Sequence, residues 1–112
     1  MRPFEYARPQ NESEALELLN DHDANTAVLA GGTDLISLLQ GDLAAPQRVV
    51  DIKNVESMQE VTAEGAGVVI GSLVTLEEIF ENPLLADYRS LLDVVEGTRS
   101  IQVQSMGTLG GD

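Results

Sequence analysis

The sequence predicts an α+β fold, a small, mainly parallel sheet flanked by helices. Three observations carry this reading. Two short runs of β-forming residues, TAVLA (26–30) and RVVDI (48–52), bracket a segment with helical spacing. Two further β-rich runs flank the glycine-containing turn EGAG (64–67). Two capping-box patterns, Asn11 with Glu14 and Thr75 with Glu78, each precede an apolar helical pattern.

In chain order, FEYARP (4–9) reads as a short extended lead-in. Asn11 then caps a first helix over roughly 12–21, with Ala15, Leu16 and Leu19 on its apolar face. DHDAN (21–25) is the loop after it. TAVLA carries no charge, as expected of a strand buried on both faces of a parallel sheet. DLISLLQG (34–41) is apolar at Leu35, Leu38 and Leu39, with Gly41 as its stop. With RVVDI this makes a βαβ unit, whose crossover should be right-handed. MQEVTAEGAGVVIGS (58–72) reads as a hairpin. Thr75 opens a helix with Leu76, Ile79 and Phe80 behind it, and Asn82-Pro83 ends it. SLLDVVEG (90–97) reads as one more helix, with Ser90 as N-cap and Gly97 as stop. The last stretch, TRSIQVQSMGTLGGD (98–112), shows little helix pattern. It ends on paired glycines, which ordinarily connect to something, so the sequence reads as the N-terminal part of a longer domain.

With 112 residues the chain fits one domain. The absence of cysteine excludes disulfides, thiolate nucleophiles and iron–sulfur ligation within it. A formal charge of −13, from 19 acidic and 6 basic residues, argues against a nucleic-acid partner, since few cations are available to displace phosphate counterions. No apolar run has the length of a membrane span and the start has no secretory h-region, so the expected location is cytoplasmic, with no membrane partner. His22, the only histidine, lies in a polar loop and shows no catalytic partner. No catalytic or metal-ligating residue is assigned.

The chemistry centres on two glycine pairs. In VLAGGTD, Gly31 and Gly32 stand between a strand and a helix. The first N–H groups of a helix lack internal partners and carry the positive end of its dipole. Glycines there let a phosphate approach the backbone, and Thr33 can add a hydroxyl donor. A plain tight turn capped by Thr33 or Asp34 accounts for the same residues, and both readings stay open. Neither a P-loop nor a G-x-G-x-x-G fingerprint is present. GTLGGD (107–112) repeats the elements in another order. Taken alone, GTLGGD reads more readily as an ordinary loop; together, two such loops could hold an extended diphosphate through N–H groups, which needs few cations.

Several segments in order resemble the FAD-binding subunit of the molybdenum hydroxylases, the family that includes the medium chains of xanthine and carbon monoxide dehydrogenases. They are FEYARPQNESEALELL, VLAGGTDLI, VVDIKNV, VVIGSLVTLEEI and QSMGTLGGD. The resemblance implies a PCMH-type FAD-binding domain over residues 1–112. That stretch would be the first FAD-binding subdomain, truncated at the start of the second. It implies FAD as cofactor. It places a first pyrophosphate loop at Ala27, Val28, Leu29, Ala30, Gly31, Gly32, Thr33 and Asp34. A second, resembling the family's T-I-G-G-N, falls at Gly107, Thr108, Leu109, Gly110, Gly111 and Asp112. Three positions depart from the family pattern: Asp112 replaces a commoner asparagine, Ile101 a frequent proline, and Gln104 a frequent arginine.

The resemblance also implies partners. An iron–sulfur subunit and a molybdopterin subunit would pass electrons to the flavin, and an external acceptor such as NAD would reoxidise it. Two rival readings are a flavin domain of a stand-alone enzyme like vanillyl-alcohol oxidase, and an inert fragment with weak FAD affinity. The fragment alone is expected to be inactive.

Overall fold

A computed structural model describes residues 1–20, 25–97 and 101–111. His22 and Asp112 therefore lie outside the described residues, as does most of the DHDAN loop. The chain divides into two compact units, Met1–Ser57 and Met58–Asp112.

Unit one contains a three-stranded parallel sheet. Its strands are β1 (Glu5–Ala7), β2 (Thr26–Leu29) and β3 (Arg48–Asp51), in the order β1-β3-β2. Tyr6 pairs with Val49, and Leu29 pairs with Asp51. The double burial expected of TAVLA belongs instead to β3. Val49 and Val50 are fully buried, whereas Val28 on β2 is half exposed. Among the described strands β2 pairs only with β3, so it is an edge. Burying each β3 valine contributes about 1.5–3 kcal/mol.

Helix α1 (Glu12–Leu19) starts where the capping box predicts. Asn11 Oδ1 accepts from Glu14 N–H at 2.9 Å, and Glu14 Oε2 accepts from Gln10 N–H at 2.8 Å. Its buried face differs from expectation. Ala15 is buried and Leu18 partly so, while Leu16 and Leu19 are exposed. Helix α2 (Leu35–Gln40) packs Leu39 with Leu29 and Val49. It ends in a Schellman arrangement: Leu43 N–H bonds Leu38 O at 2.9 Å and Asp42 N–H bonds Leu39 O at 3.3 Å. The left-handed residue of that motif is Asp42 (φ 56°) rather than the expected Gly41.

Unit two opens with the predicted hairpin, β4 (Val61–Glu64) against β5 (Gly67–Ile70), antiparallel, with Glu64 opposite Gly67. Thr75 Oγ1 caps α3 (Leu76–Glu81) by accepting from Glu78 N–H at 3.2 Å. Leu76 and Ile79 are buried as expected, but Phe80 points out and is 53% exposed. Asn82 caps a 3₁₀ turn, Pro83–Leu85, through Leu84 N–H at 2.9 Å. Helix α4 (Arg89–Glu96) begins ahead of Ser90, with Tyr88 at the N-cap position and no side-chain cap. A fifth helix, α5 (Ile101–Met106), occupies the stretch where no helix pattern was expected. Gln104 ties it to α4 by donating from Nε2 to Val95 O at 3.2 Å. The core of this unit is Val74, Leu76, Ile79, Leu85 and Val95.

Asn11→Ala removes the side-chain acceptor of the Glu14 N–H at the start of α1. The expected cost is about 1 kcal/mol of unfolding free energy, read as a lower urea midpoint. An unchanged midpoint would show that the cap is idle.

Candidate functional site

In a parallel sheet all strands end at one edge, and ligands of open α/β sheets gather there. In unit one that edge carries the loop after β2 and the tips of β1 and β3. Ile52 N–H donates to Leu29 O at 3.0 Å, which fixes the last carbonyl before Ala30. The chain then turns through Gly31, Gly32, Thr33 and Asp34 into α2. Among the described residues, the N–H groups of those four make no backbone hydrogen bond. Gly32 O accepts from Ile36 N–H at 3.2 Å, so the loop is already wound toward the helix.

Gly32 adopts φ +80°, a left-handed conformation that side chains rarely take. A Cβ there would stand 2.8 Å from Ile36 Cδ1 and 3.1 Å from Leu29 Cδ1. The capped-turn reading fares less well. Asp34 occupies the N-cap position in αR geometry, and its side chain makes no cap bond. Thr33 and Asp34 are both exposed. Ala27, Val28 and Leu29 are strand residues, and the Leu29 side chain belongs to the core rather than to a ligand surface.

The second glycine motif is built differently. Residues 107–110 run antiparallel to 72–76, bridged at Thr75 and Thr108. Leu76 N–H bonds Gly107 O at 3.0 Å, Leu109 N–H bonds Val74 O at 2.9 Å, and Gly110 N–H bonds Ser72 O at 2.8 Å. Gly107 N–H bonds Val103 O, and Gly111 N–H bonds Thr108 Oγ1 at 3.2 Å. Four of the five described N–H groups therefore already have intrachain partners, leaving Thr108 N–H. Leu109 packs on the core of unit two. Gly110 has a packing reason to be glycine, since a Cβ would lie 2.6 Å from Ser72 Cβ.

Sequence reading missed a third group on the edge of unit one. Asp51, 1% exposed at the tip of β3, accepts from the Tyr6 hydroxyl on Oδ2 and from Lys53 N–H on Oδ1 at 3.0 Å. Lys53 Nζ lies 3.5 Å from Oδ2. Burial alone would push the Asp51 carboxyl up. The hydrogen bonds from Tyr6 and Lys53, with the Lys53 charge, outweigh it and hold the carboxyl below its ordinary range. The same bond raises the Tyr6 phenol, with burial and the Asp51 charge adding and the Arg8 charge opposing. An aspartate ending a run of valines was the available signal.

A parallel βαβ unit with unpaired backbone donors at its strand ends is the arrangement of a nucleotide-binding α+β domain. Comparison with known proteins is more specific: the chain belongs to the family described as the FAD binding domain in molybdopterin dehydrogenase, whose profile matches residues 2–112. It is 35% identical to the caffeine dehydrogenase subunit beta of Pseudomonas sp. (strain CBB1), covering 100% of this chain and 39% of that protein. It is 32% identical to the nicotinate dehydrogenase FAD-subunit of Eubacterium barkeri, over 100% of this chain and 38% of that one. A chain of the carbon monoxide dehydrogenase structure from Hydrogenophaga pseudoflava superposes with a TM-score of 0.91 at 30% identity. The match covers 99% of this chain and 40% of that one. The chain thus spans about two-fifths of the length of these relatives. Among the described residues no helix is long and apolar enough to cross a membrane.

Two predictions follow from the geometry of this site. Gly110→Ala should destabilise unit two by about 1–3 kcal/mol, because Ser72 must move; urea unfolding without flavin measures it, and an unshifted transition would refute the packing account. The Tyr6–Asp51 pair sets two pH limits. The Asp51 contribution is fully present above the unfolded value of about 3.9 and is lost as pH falls through the lower native value. The Tyr6 contribution is present below about pH 10 and is lost as pH rises through the higher native value. In Tyr6→Phe the fall of melting temperature on the acid side should be shallower than in the parent, because losing the Tyr6 bond moves the native Asp51 value back toward the unfolded one and narrows the interval over which stability is lost. Superimposable acid limbs would show the bond to be without effect.

Proposed function

We propose that this chain binds FAD as part of a molybdenum hydroxylase-type oxidoreductase, with the loop Ala27–Asp34 holding the pyrophosphate. The observation that carries the reading is the set of N–H groups at Gly31, Gly32, Thr33 and Asp34 that have no backbone partner among the described residues, beside a glycine in a conformation side chains rarely adopt. Such a loop fits a phosphate, because oriented amides can hold negative charge without cations. This matters in a chain of net charge −13. The Thr33 hydroxyl, exposed beside them, adds a further donor. For the second motif, Gly107–Asp112, a contact with the cofactor is proposed separately. Its share is the Thr108 N–H and the backbone shape, since its other described amides are engaged within the chain.

When bound, FAD supplies the redox chemistry; this chain's residues bind and orient it. No side chain here is assigned as acid or base. Electrons would arrive from an iron–sulfur subunit fed by a molybdopterin subunit and leave to an external acceptor such as NAD. Relatives named as medium chains and FAD-subunits support that division of labour. They do not favour a stand-alone oxidase.

The test is Gly32→Val in the full-length protein. A branched side chain would strain the backbone and press on Ile36 and Leu29, distorting the loop proposed to hold the pyrophosphate, and the purified variant should carry at least tenfold less flavin absorbance than the parent. Because φ +80° also strains the variant, a thermal melt accompanies the measurement. A folded variant with undiminished flavin would overturn the assignment.

A further inference from the structure

The Tyr6–Asp51–Lys53 cluster has no role in the reading above, yet a buried carboxylate at a strand tip needs a reason. Replacing a buried, paired charge by a well-packed apolar residue is commonly neutral or stabilising. The two residues before Asp51 are buried valines, so an apolar residue would suit the sheet. One explanation is direct ligand contact. βαβ nucleotide folds place a ribose-binding acid about 20 residues after the glycines, at the tip of the next strand, and Asp51 stands there. Its burial and its donors argue against that role: both oxygens are already engaged, by Tyr6, by Lys53 N–H and by the Lys53 ammonium.

What the carboxylate does instead is join strand tips. Tyr6 lies on β1, and Asp51 and Lys53 lie at the end of β3. Paired residues share a sheet face, so Asp51 shares one with Leu29, its partner in register, and with Val49 and Tyr6. That face is the one on which α2 packs through Leu39. The residue after Asp51, Ile52, holds Leu29 O, the last strand carbonyl before the loop.

We propose that Asp51 is a positioning residue for the glycine loop: bonded to Tyr6 and Lys53, it sets the tip of β3, and through Ile52 the point at which the Gly31–Asp34 amides leave the sheet. The inference rests on the FAD reading for its ligand, and on the hydrogen bonds of unit one for its cause.

The experiment uses the full-length protein stripped of flavin, with Asp51→Asn and Tyr6→Phe beside a control, Ala15→Gly, which loosens α1 without touching the edge. FAD titration followed by flavin fluorescence gives affinity, at a temperature where every variant is folded. Amide hydrogen exchange at Ile52 and Ile36, the two bonds that bracket the loop, gives its anchoring. Asp51→Asn should weaken FAD roughly tenfold, the scale of one charge-assisted hydrogen bond. Tyr6→Phe should weaken it less, and both should speed exchange at the two amides. The control should lower the melting temperature and leave affinity and those amides as in the parent. Wild-type affinity in both edge variants would overturn the proposal, as would equal losses in the control. Should Asp51→Asn fail to fold, Tyr6→Phe decides, since its ring is half exposed. A parent that binds no FAD would sink the cofactor reading alone, and the exchange comparison would still decide the positioning role.

Discussion

Burial of β3 on both faces is the constraint from which unit one is built. A parallel sheet needs a crossover between neighbouring strands, and the crossover places a helix on the face it crosses. With Val49 and Val50 both inaccessible, a slip of the central strand by one residue would set Arg48 or Asp51 in a fully buried valine position. Register then follows along the sheet. Leu29 must pair with Asp51, the loop must begin at Ala30, and α2 must return over the face that holds Leu29 and Val49. Two valines that never approach the glycine amides thus help to set where those amides emerge.

Two glycine pairs that look alike in sequence are unlike in the disposition of their backbone donors. A buried or half-buried amide must find a partner in the chain, in water or in a ligand. After β2 the chain is changing from strand to helix, so neither ladder claims the amides of Gly31–Asp34. At Gly107–Gly111 the chain lies along residues 72–76, and that pairing claims most of them. The glycines serve different ends in consequence. Gly32 supplies a backbone conformation, and Gly110 supplies closeness to Ser72.

Much of the fold was legible because its signals are local. The Asn11 and Thr75 caps, the hairpin over EGAG and the βαβ spacing depend on residues within a few positions of one another. Where burial depends on distant partners, reading by periodicity failed. Leu16 and Phe80 fit a helical stripe and yet are exposed. Helix α5 was missed because IQVQSM alternates apolar and polar residues, a strand-like period. It is held by a cross-helix bond from Gln104. The first loop was legible as a candidate through its glycines. That its amides lack backbone partners among the described residues, and that most of those in the second loop are engaged within the chain, could not be read from composition.

The acidity of the chain bears on how an anion could be held here at all. Side-chain cations are few, and the two at the sheet edge of unit one are committed: Arg8 donates to Asn54 Oδ1 and Lys53 faces Asp51. A carboxylate beside a phosphate site would be costly if its charge stood open. Asp51 avoids this by being enclosed, with a hydroxyl, an amide and an ammonium directed at its oxygens. Its charge is compensated locally by those donors. Backbone amides cannot be titrated and are not removed by surface drift in composition. A loop that binds through them can therefore sit in a strongly acidic domain, provided that its position is fixed by packing and by contacts such as those of Asp51.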